Sequence, residues 1–550
     1  MKKVTLLILS LILICSTAIL SFSCGEPEET TTPSSTQPTS TQPTSTQPTS
    51  TQPTSTQPTT TPPPTGGPMY GGTIKISYNG ESALGIGDPR NDHMMGNIMV
   101  APDVERLARF DNNAKLQPWL AESWSADAAA KTFTLTVKQG IKFHDGTDFN
   151  AAAVKFVWEL FQANNMRETE LVSSIDLVDE YTVRVNLTQW DNSIELKLLH
   201  TAGAMISPTA WETQGEDWAS NNPVGTGPFK FVSWVREVGS EFERWDDYWR
   251  EGEPYLDTVE FVYISDETTR VASFISGETD VYWNASALNA KNLEDTGNYV
   301  VLHDRSGFDT PAYHLVPDVE TCIPFQDVNV RKAAAYAIDR QSILDTIYYG
   351  YGVVNDQWGI DSNWAHSPNV IGYEYNPEKA RQLMADAGYA DGFDCDLLGF
   401  TGMETVFEAF QVMLADVGIR ANINIVSKPA MYEYIIGGGW NGLMYPPRRP
   451  DGHIPYRMSI HLMTTSLEGP GVYHSEELDN MILAALAAPD FASQQAAAWA
   501  LQEYVYNDLC IYIPIVVLDG LHVKYPYVQD DNFGTAGNTF WTPETAWLDK

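Results

Sequence analysis

Apolar and polar residues alternate in several short stretches of the chain. Ile74 and Ile76 sit between polar neighbours directly behind Gly71-Gly72. The same period of two runs through FTLTV at 133–137, which Gly140 closes, and through YTVRVNL at 181–187. That period predicts strands with one buried face. Elsewhere the period lengthens. After Asn150, residues Val154, Val157 and Trp158 share one face of a helix running to Leu160, with Asn150 as its N-cap. Asp145-Gly146 marks a turn between Phe143 and Phe149. In the second half Asp327 is placed to cap a helix over 328–347, with Val330, Ala334, Ala337, Ile338 and Leu344 as its apolar positions. Asn376-Pro377 opens another helix, and Gly388 stops it. The stretches 405–417 and 478–505 also read as helices, and 423–426 and 511–517 as strands. Pro514 either weakens the reading of the last strand or puts it on a sheet edge. Strands recur early, middle and late with helices between them. The fold class expected is therefore α/β in two lobes, not a bundle or a sandwich.

The first 67 residues follow another pattern. Lys2 and Lys3 precede an apolar run from Val4 to Leu20, which ends in Ser21-Phe22-Ser23-Cys24-Gly25. A charged start, a long apolar stretch and a small residue before cysteine resemble a bacterial lipoprotein leader. The expectation is a signal peptide over 1–23 and lipidation at Cys24. An uncleaved span is the alternative. Either reading puts the rest of the chain outside the cytoplasm. From 25 to 67 the composition collapses to Thr, Pro, Ser and Gln, with TQPTS repeated over 36–55 and TQPTT following. Nothing here builds a core, and proline at every fifth position blocks helix. This stretch reads as a lipid-attached spacer, residues 24–67, holding a globular body over 68–550 away from a membrane.

The chain has 550 residues, 43% of them hydrophobic, enough for a large core and for more than one structural unit. It carries 33 Lys+Arg against 71 Asp+Glu, a net charge of −38. A nucleic-acid partner needs a basic face, so none is expected. The acidity reads first as solubility and self-repulsion, and second as a field that favours cationic ligands. The cysteines Cys15, Cys24, Cys322, Cys395 and Cys510 show no C-x-x-C spacing. The three after Cys24 allow at most one disulfide, and their pairing stays open.

Signatures of catalysis are scarce. G-x-S-x-G, H-E-x-x-H and the P-loop pattern are all missing. Gly225-Thr-Gly227 reads as a tight turn, and His144-Asp145 as a turn-shaping pair. Glu241, Glu243, Asp246 and Asp247 cluster beside Trp245 and Trp249, which leaves a secreted carboxylate-dependent glycoside hydrolase as an alternative, working through Glu243 and Asp246. A surface-layer or adhesion protein that uses the spacer for reach is a third reading. The 16 Trp and 26 Tyr also suit a ligand cleft with apolar walls and a few polar anchors.

One resemblance is specific. LQPWLAESW from Leu116, KTFTL from Lys131 and GIKFHDGT from Gly140 resemble the N-terminal signature of the solute-binding proteins of peptide/nickel ABC importers. PVGTGPFK from Pro223, SGETDV from Ser276, VRKAAAYAIDR from Val330 and the Asn376–Phe393 region follow in that family's order. The resemblance implies a two-lobed, periplasmic-binding-protein-like clamp with an extra subdomain in the first lobe. It implies chain crossings between the lobes near 310 and 520, and a ligand enclosed at the hinge. It also implies a binding protein, not an enzyme, that hands its solute to the permease subunits, acts as a monomer, needs no cofactor and no metal, and reaches the membrane through its N-terminal lipid. Peptide transport is the first expectation for the solute, and oligosaccharide binding the alternative. In such peptide binders a carboxylate meets the ligand amine, in a segment that here follows Tyr432–Ile436 and runs from Gly439 to His453. This chain has no Asp three residues after Trp440, and Asp451 stands further on. The candidate ligand-binding residues are Trp440, Tyr445, Arg448, Arg449 and Asp451, with Trp283 and Trp358 flanking the expected crossings.

Overall fold

Thr73–Tyr78 is the strand on which the first lobe is built. Ile74 and Ile76 are fully buried, as their alternation requires. The strand pairs in parallel with Thr258–Tyr263 on one side and Val281–Tyr282 on the other. A seven-stranded sheet results, in the order Val300–Asp304, Gly520–Lys524, Val281–Tyr282, Thr73–Tyr78, Thr258–Tyr263, Gly239–Arg244 and Phe229–Val235. The computed structural model describes residues 67–550 except 81–84, 91–98, 112–114, 305–310, 450–451, 467–468, 531 and 534–542. The expected leader, the spacer, Cys24 and Asp451 lie outside the described residues.

Between Thr73–Tyr78 and Phe229–Val235 the chain builds an extra subdomain. Its antiparallel sheet runs Ala121–Asp127, Thr132–Val137, Thr182–Leu187, Val172–Leu177. Phe133, Leu135 and Val137 point inward from one strand, and Val183 and Val185 from its neighbour. The helix Ala151–Ala163 covers that face with Val154, Val157, Trp158 and Phe161. Asn150 caps it, its side chain accepting from the Ala152 and Ala153 amides at 3.0 and 3.3 Å.

Two buried carboxylates fasten the subdomain to the first lobe. Asp103 accepts from the Gly225 amide at 2.7 Å, from the Phe231 amide at 2.9 Å and from His144 Nδ1 at 3.1 Å. His144 Nε2 lies 2.8 Å from the Gly227 carbonyl. A Cβ on Gly225 would sit 2.1 Å from the Asp103 carbonyl, so only glycine fits there. Glu105 accepts from Trp119 Nε1 at 2.7 Å, Tyr248 Oη at 2.8 Å, and Trp249 Nε1 and Thr226 Oγ1 at 2.9 Å each. The motifs around His144 and Gly225 are therefore structural: they lock to each other through Asp103.

The second lobe holds another sheet, in the order Gly352–Val354, Ile513–Leu518, Ala312–Pro317, Gly442–Met444, Phe393–Phe400, Ile419–Val426, with Pro447–Arg448 added beside Ala312–Pro317. Helices Val328–Ala337, Pro377–Asp386 and Glu404–Asp416 pack into the same core. Asp519 alone separates Ile513–Leu518 of this sheet from Gly520–Lys524 of the first. The fold is thus two-lobed α/β with an extra subdomain in the first lobe. A short connection of this kind lets two rigid bodies swing about a few residues.

Three expectations change in detail. The helix over 328–347 is two helices, Val328–Ala337 and Arg340–Thr346. Ile338 is extended between them, and Asp339 recaps the chain by accepting from the Ser342 amide at 3.0 Å. The break turns Arg340 inward, where it donates to the carbonyls of Pro514 at 2.6 Å and Tyr373 at 2.5 Å. The helix over 478–505 also divides, into Glu476–Ala487 and Phe491–Glu503, because Pro489 cannot continue the first and Asp490 caps the second. Pro514 is not on an edge. Its strand lies between Ala312–Pro317 and Gly352–Val354, and the missing amide falls where the register shifts opposite Tyr313 and His314. Cys322, Cys395 and Cys510 are buried free thiols. Among the described residues no helix is long and apolar enough to cross a membrane.

Candidate functional site

A cavity of about 710 Å³ lies where the subdomain meets the second lobe. From the subdomain side come Trp124 and Ala126 on strand Ala121–Asp127, Trp190 and Asn192 on the loop after Thr182–Leu187, and Glu195 on the helical turn Ile194–Leu196. That turn runs on as a π-turn, Lys197–Thr201, an irregularity often found at functional sites. The second lobe contributes Trp364, His453, Phe491 and Gln494. Phe110 also lines it. The turn that lets Phe491 reach the cavity is the one made by Pro489 and Asp490.

One corner of the cavity is a latch between the bodies. The helix Glu476–Ala487 ends with carbonyls that its own backbone cannot satisfy. Trp190 Nε1 donates to Ala488 O at 3.0 Å, the Asn192 amide to Leu486 O at 2.9 Å, and Asn192 Nδ2 to Ala485 O at 2.8 Å and Ala488 O at 3.2 Å. Closing the subdomain on the second lobe therefore caps this helix. His453 stands behind the latch. Its Nδ1 accepts from the Tyr456 amide at 3.2 Å, and its Nε2 lies 2.9 Å from Asn192 Oδ1 and 2.6 Å from the Gln494 side-chain amide. Burial is the main force pushing its pKa down to about 4, so the ring is neutral at neutral pH. Replacing Asn192 with alanine removes two interlobe donors and the oxygen beside His453. Ligand affinity should fall about tenfold while the melting temperature of the unliganded protein stays nearly unchanged, because the loss falls on the closed state. Calorimetric titration beside a thermal melt checks this.

The electrostatics differ among the lining residues. Burial raises the pKa of the Glu195 carboxyl, and a Trp124 hydrogen bond opposes that rise. Phe110 packs on the His200 ring at 4.8 Å. Burial, and then the positive charges of Arg106, Arg457 and Arg449, hold the His200 pKa well below its usual value. Arg106 donates to the carbonyls of His200 and, at 3.3 Å, Thr201. Arg106 belongs to the first lobe, while Arg449 and Arg457 belong to the second.

The residues singled out from the sequence fall in three places. Trp358, Arg448 and Arg449 come together: Trp358 Nε1 donates to Arg449 O at 2.7 Å, and Arg448 and Trp358 both face Tyr512, at 5.8 and 5.4 Å. Trp440 and Tyr445 are buried in the core of the second lobe. Trp440 Nε1 donates to Val316 O at 3.1 Å, and Tyr445 stacks on Tyr313 at 4.9 Å. Leu443, three residues after Trp440, is fully buried in strand Gly442–Met444. Trp283 lies in the first lobe against His522 and Phe533, at 4.5 and 5.0 Å. Of the cavity residues, Trp124 closes the LQPWLAESW motif, while Trp190, Asn192, Glu195, Trp364 and His453 carry no motif of their own. The surplus of tryptophan is the one sequence signal for Trp190 and Trp364. Glu241, Glu243, Asp246 and Asp247 are all exposed, Glu241 and Glu243 on strand Gly239–Arg244, and none of them lines the cavity between subdomain and second lobe.

Two lobes joined at a short connection, with a walled space where they meet, define a ligand-capturing protein of the periplasmic-binding type. Residues 115–447 match the family described as bacterial extracellular solute-binding proteins, family 5 (middle). The glutathione-binding protein GsiB of Shigella flexneri serotype 5b is 29% identical over 433 residues, 75% of this chain and 82% of that protein. Among solved structures, the substrate-binding protein CtaP of Listeria monocytogenes superposes with a TM-score of 0.78 at 18% identity, covering 88% of this chain and all of that one. DppA of Helicobacter pylori, in complex with the peptide STSA, gives 0.72 at 20% identity over 88% and 99% of the two chains. The chain belongs to the family 5 extracellular solute-binding proteins. It is a binding protein and not an enzyme, and it acts outside the cytoplasm.

Proposed function

We propose that this protein is the solute receptor of an ABC importer, and that it captures an oligopeptide or a similar peptide-sized solute in the cavity between subdomain and second lobe and passes it unchanged to the permease subunits. The cavity carries this reading. Its volume lies within the usual range for small-ligand sites, about 300–1,000 Å³, and its walls combine aromatic faces with a few polar groups. The relatives agree in kind: GsiB is named for glutathione, and the DppA structure holds a tetrapeptide. Glu195 lines the cavity, and Arg106, Arg449 and Arg457 act on His200, which packs against the lining residue Phe110; a carboxylate and a basic cluster suit a zwitterion, since each ligand charge then meets an opposite one. Arg448, Arg449 and Trp358 are proposed to border the cavity, and Asp451 is proposed as a ligand contact. Trp440, Tyr445 and Trp283 are proposed to support the walls from behind.

The leader and spacer complete the proposal. Cleavage after residue 23 would leave Cys24 to carry lipid, and residues 24–67 would hold the body over 68–550, as a monomer, within reach of the membrane. An extended spacer of this composition spans up to about 3.1 Å per residue. The test is a thermal-shift screen of the protein against peptides, oligosaccharides and metal ions. A true solute at about 100 times its dissociation constant should stabilise the protein by about 2.7 kcal/mol, and small-angle scattering should show the body contract. Peptides that leave the melting temperature unmoved while an oligosaccharide raises it would replace the peptide reading with the sugar one. Consumption of the bound molecule would end the receptor reading.

A further inference from the structure

The lobes are joined by chain crossings at Asp519 and between Val300–Asp304 and Ala312–Pro317. Such links by themselves leave the angle and the twist between two bodies open. A further contact stands beside them. Tyr351 belongs to the second lobe, where it follows helix Arg340–Thr346 and directly precedes strand Gly352–Val354. Its side chain nevertheless lies in the first lobe, buried in one cluster with Phe274, Tyr282, Leu293, Leu521 and Val523. The phenol donates to Glu294 Oε2 at 2.8 Å, at the end of helix Ala287–Glu294. The ring packs on the His303 imidazole at 5.2 Å. The Tyr351 carbonyl accepts from the Asp519 amide at 3.4 Å, and His303 Nδ1 lies 3.1 Å from Asp519 Oδ2. One second-lobe residue is thus tied both to the core of the first lobe and to the crossing itself.

The backbone on either side of Tyr351 is held in an uncommon shape. Tyr349 has a φ of +55°, Gly350 of +79° and Gly352 of +145°. A Cβ on Gly352 would stand 2.4 Å from Val517 O, so the chain passes tightly against the strand that leads into Asp519. A non-glycine residue with positive φ persists where its surroundings over-determine it. We propose that Tyr351 is the pivot of the clamp, a positioning residue outside the cavity that confines the swing of the two lobes to one path. This rests on the reading of the protein as a receptor that closes on its solute. Lobes free to wander in angle and twist must lose that freedom on closing, and affinity falls with the fraction of arrangements that can bind. A side chain of one lobe seated in the core of the other removes the freedom in advance.

The test reads the distance between the lobes by electron–electron double resonance. Spin labels are carried on an encoded keto amino acid at Glu241 of the first lobe and Glu408 of the second, both exposed. Tyr351→Leu keeps an apolar group in the seat but loses the bond to Glu294 and the ring against His303. In the whole unliganded protein it is expected to broaden the distance distribution relative to wild type. Tyr351→Phe and Glu294→Ala remove the same bond from its two sides, and are expected to broaden it equally and by less. A mixed tetrapeptide library, followed by tryptophan fluorescence, is expected to bind Y351L at least about fivefold more weakly than wild type, although Tyr351 does not line the cavity. A Y351L protein that melts cooperatively and keeps the wild-type distances, or that binds the library as tightly as wild type does, would overturn the proposal and leave Tyr351 a core residue only. If Y351L does not fold, wild-type distances in both Y351F and E294A would overturn it equally. Failure of the underlying reading looks different: tetrapeptides and oligosaccharides alike would leave the wild-type distances unmoved, while the unliganded variants still decide the pivot.

Discussion

Replacing Glu105 with alanine should destabilise the protein by about 3–5 kcal/mol, the range for removing one partner from a buried charged network. The side chain of Glu105 is wholly buried, and four donors converge on it: the indoles of Trp119 and Trp249, the phenol of Tyr248 and the hydroxyl of Thr226. Arg109 lies 3.8 Å from its carboxylate and stacks over the Trp119 ring at 3.3 Å, so its packing loosens as well. Alanine leaves these donors facing one another with no acceptor, in a space too crowded for each to find water. Glu105→Gln retains an acceptor oxygen and should lose less than half as much. Urea unfolding of the two variants checks the order. A result in which glutamine costs as much as alanine would show that charge, and not hydrogen bonding, is what the network needs. Function follows from position. Glu105 joins the segment leading into strand Ala121–Asp127, which carries Trp124, to the Tyr248–Trp249 loop of the first lobe. A solute site with one wall on that strand should therefore weaken together with stability.

Acid should destabilise the protein well before its carboxylates titrate. His314 and His522 are fully buried, and burial pushes each pKa down to about 3. His453 is pushed down to about 4. These values lie below the ordinary histidine range near 6.5, so the unfolded chain takes up protons that the fold refuses. Stability is intact above about pH 6.5 and is lost as the pH falls toward the folded values, by about 1.4 kcal/mol per pH unit for each histidine. The geometry explains the refusal. His522 Nδ1 accepts from the Asn284 amide at 3.2 Å, and His453 Nδ1 accepts from Tyr456; protonation would turn both acceptors into donors facing donors. Arg448 adds its positive charge to the burial that holds His314 neutral. The relaxing repulsion among the carboxylates of this acidic chain acts in the opposite sense, as do the raised carboxyls of Glu105 and Glu195 and the raised imidazole of His144, so the histidine share is read from the difference between wild type and variant. Urea unfolding at pH 7 and pH 5 should show a large loss for the wild type. His522→Asn, whose Oδ1 can still accept from Asn284, should flatten the profile by one histidine's share. A profile that is level over this window would refute the assignment. Since His453 also backs the Asn192 latch, solute affinity of the folded protein should hold over this range and fall only near pH 4, where the folded ring takes up its proton.

Local order was legible in the chain wherever period, cap and stop agreed. The strand containing Ile74 and Ile76, the helix capped by Asn150 and the helix between Asn376 and Gly388 all depend on neighbours within one or two turns, and those neighbours are adjacent in sequence. The succession of short motifs was legible for a related reason. Gly225, Gly227 and His144 meet at Asp103 under steric limits that tolerate few other residues, so they form recognisable strings. The breaks at Asp339 and Pro489 show where local reading gives out. Helix period continues through 338, but a buried Arg340 reaching Pro514 and Tyr373 outweighs one more turn of helix. Pro514 sits inside a sheet because a register shift, set by a strand about 200 residues away, leaves its missing amide without a bond to make. The candidate site belongs wholly to this second kind. Trp124, Trp190, Glu195, Trp364 and His453 come from separate elements on two bodies, and each alone looks like an ordinary half-buried residue. Their meaning arises when the subdomain lies against the end of Glu476–Ala487. A cavity is a property of surfaces that face each other, and no stretch of consecutive residues contains both.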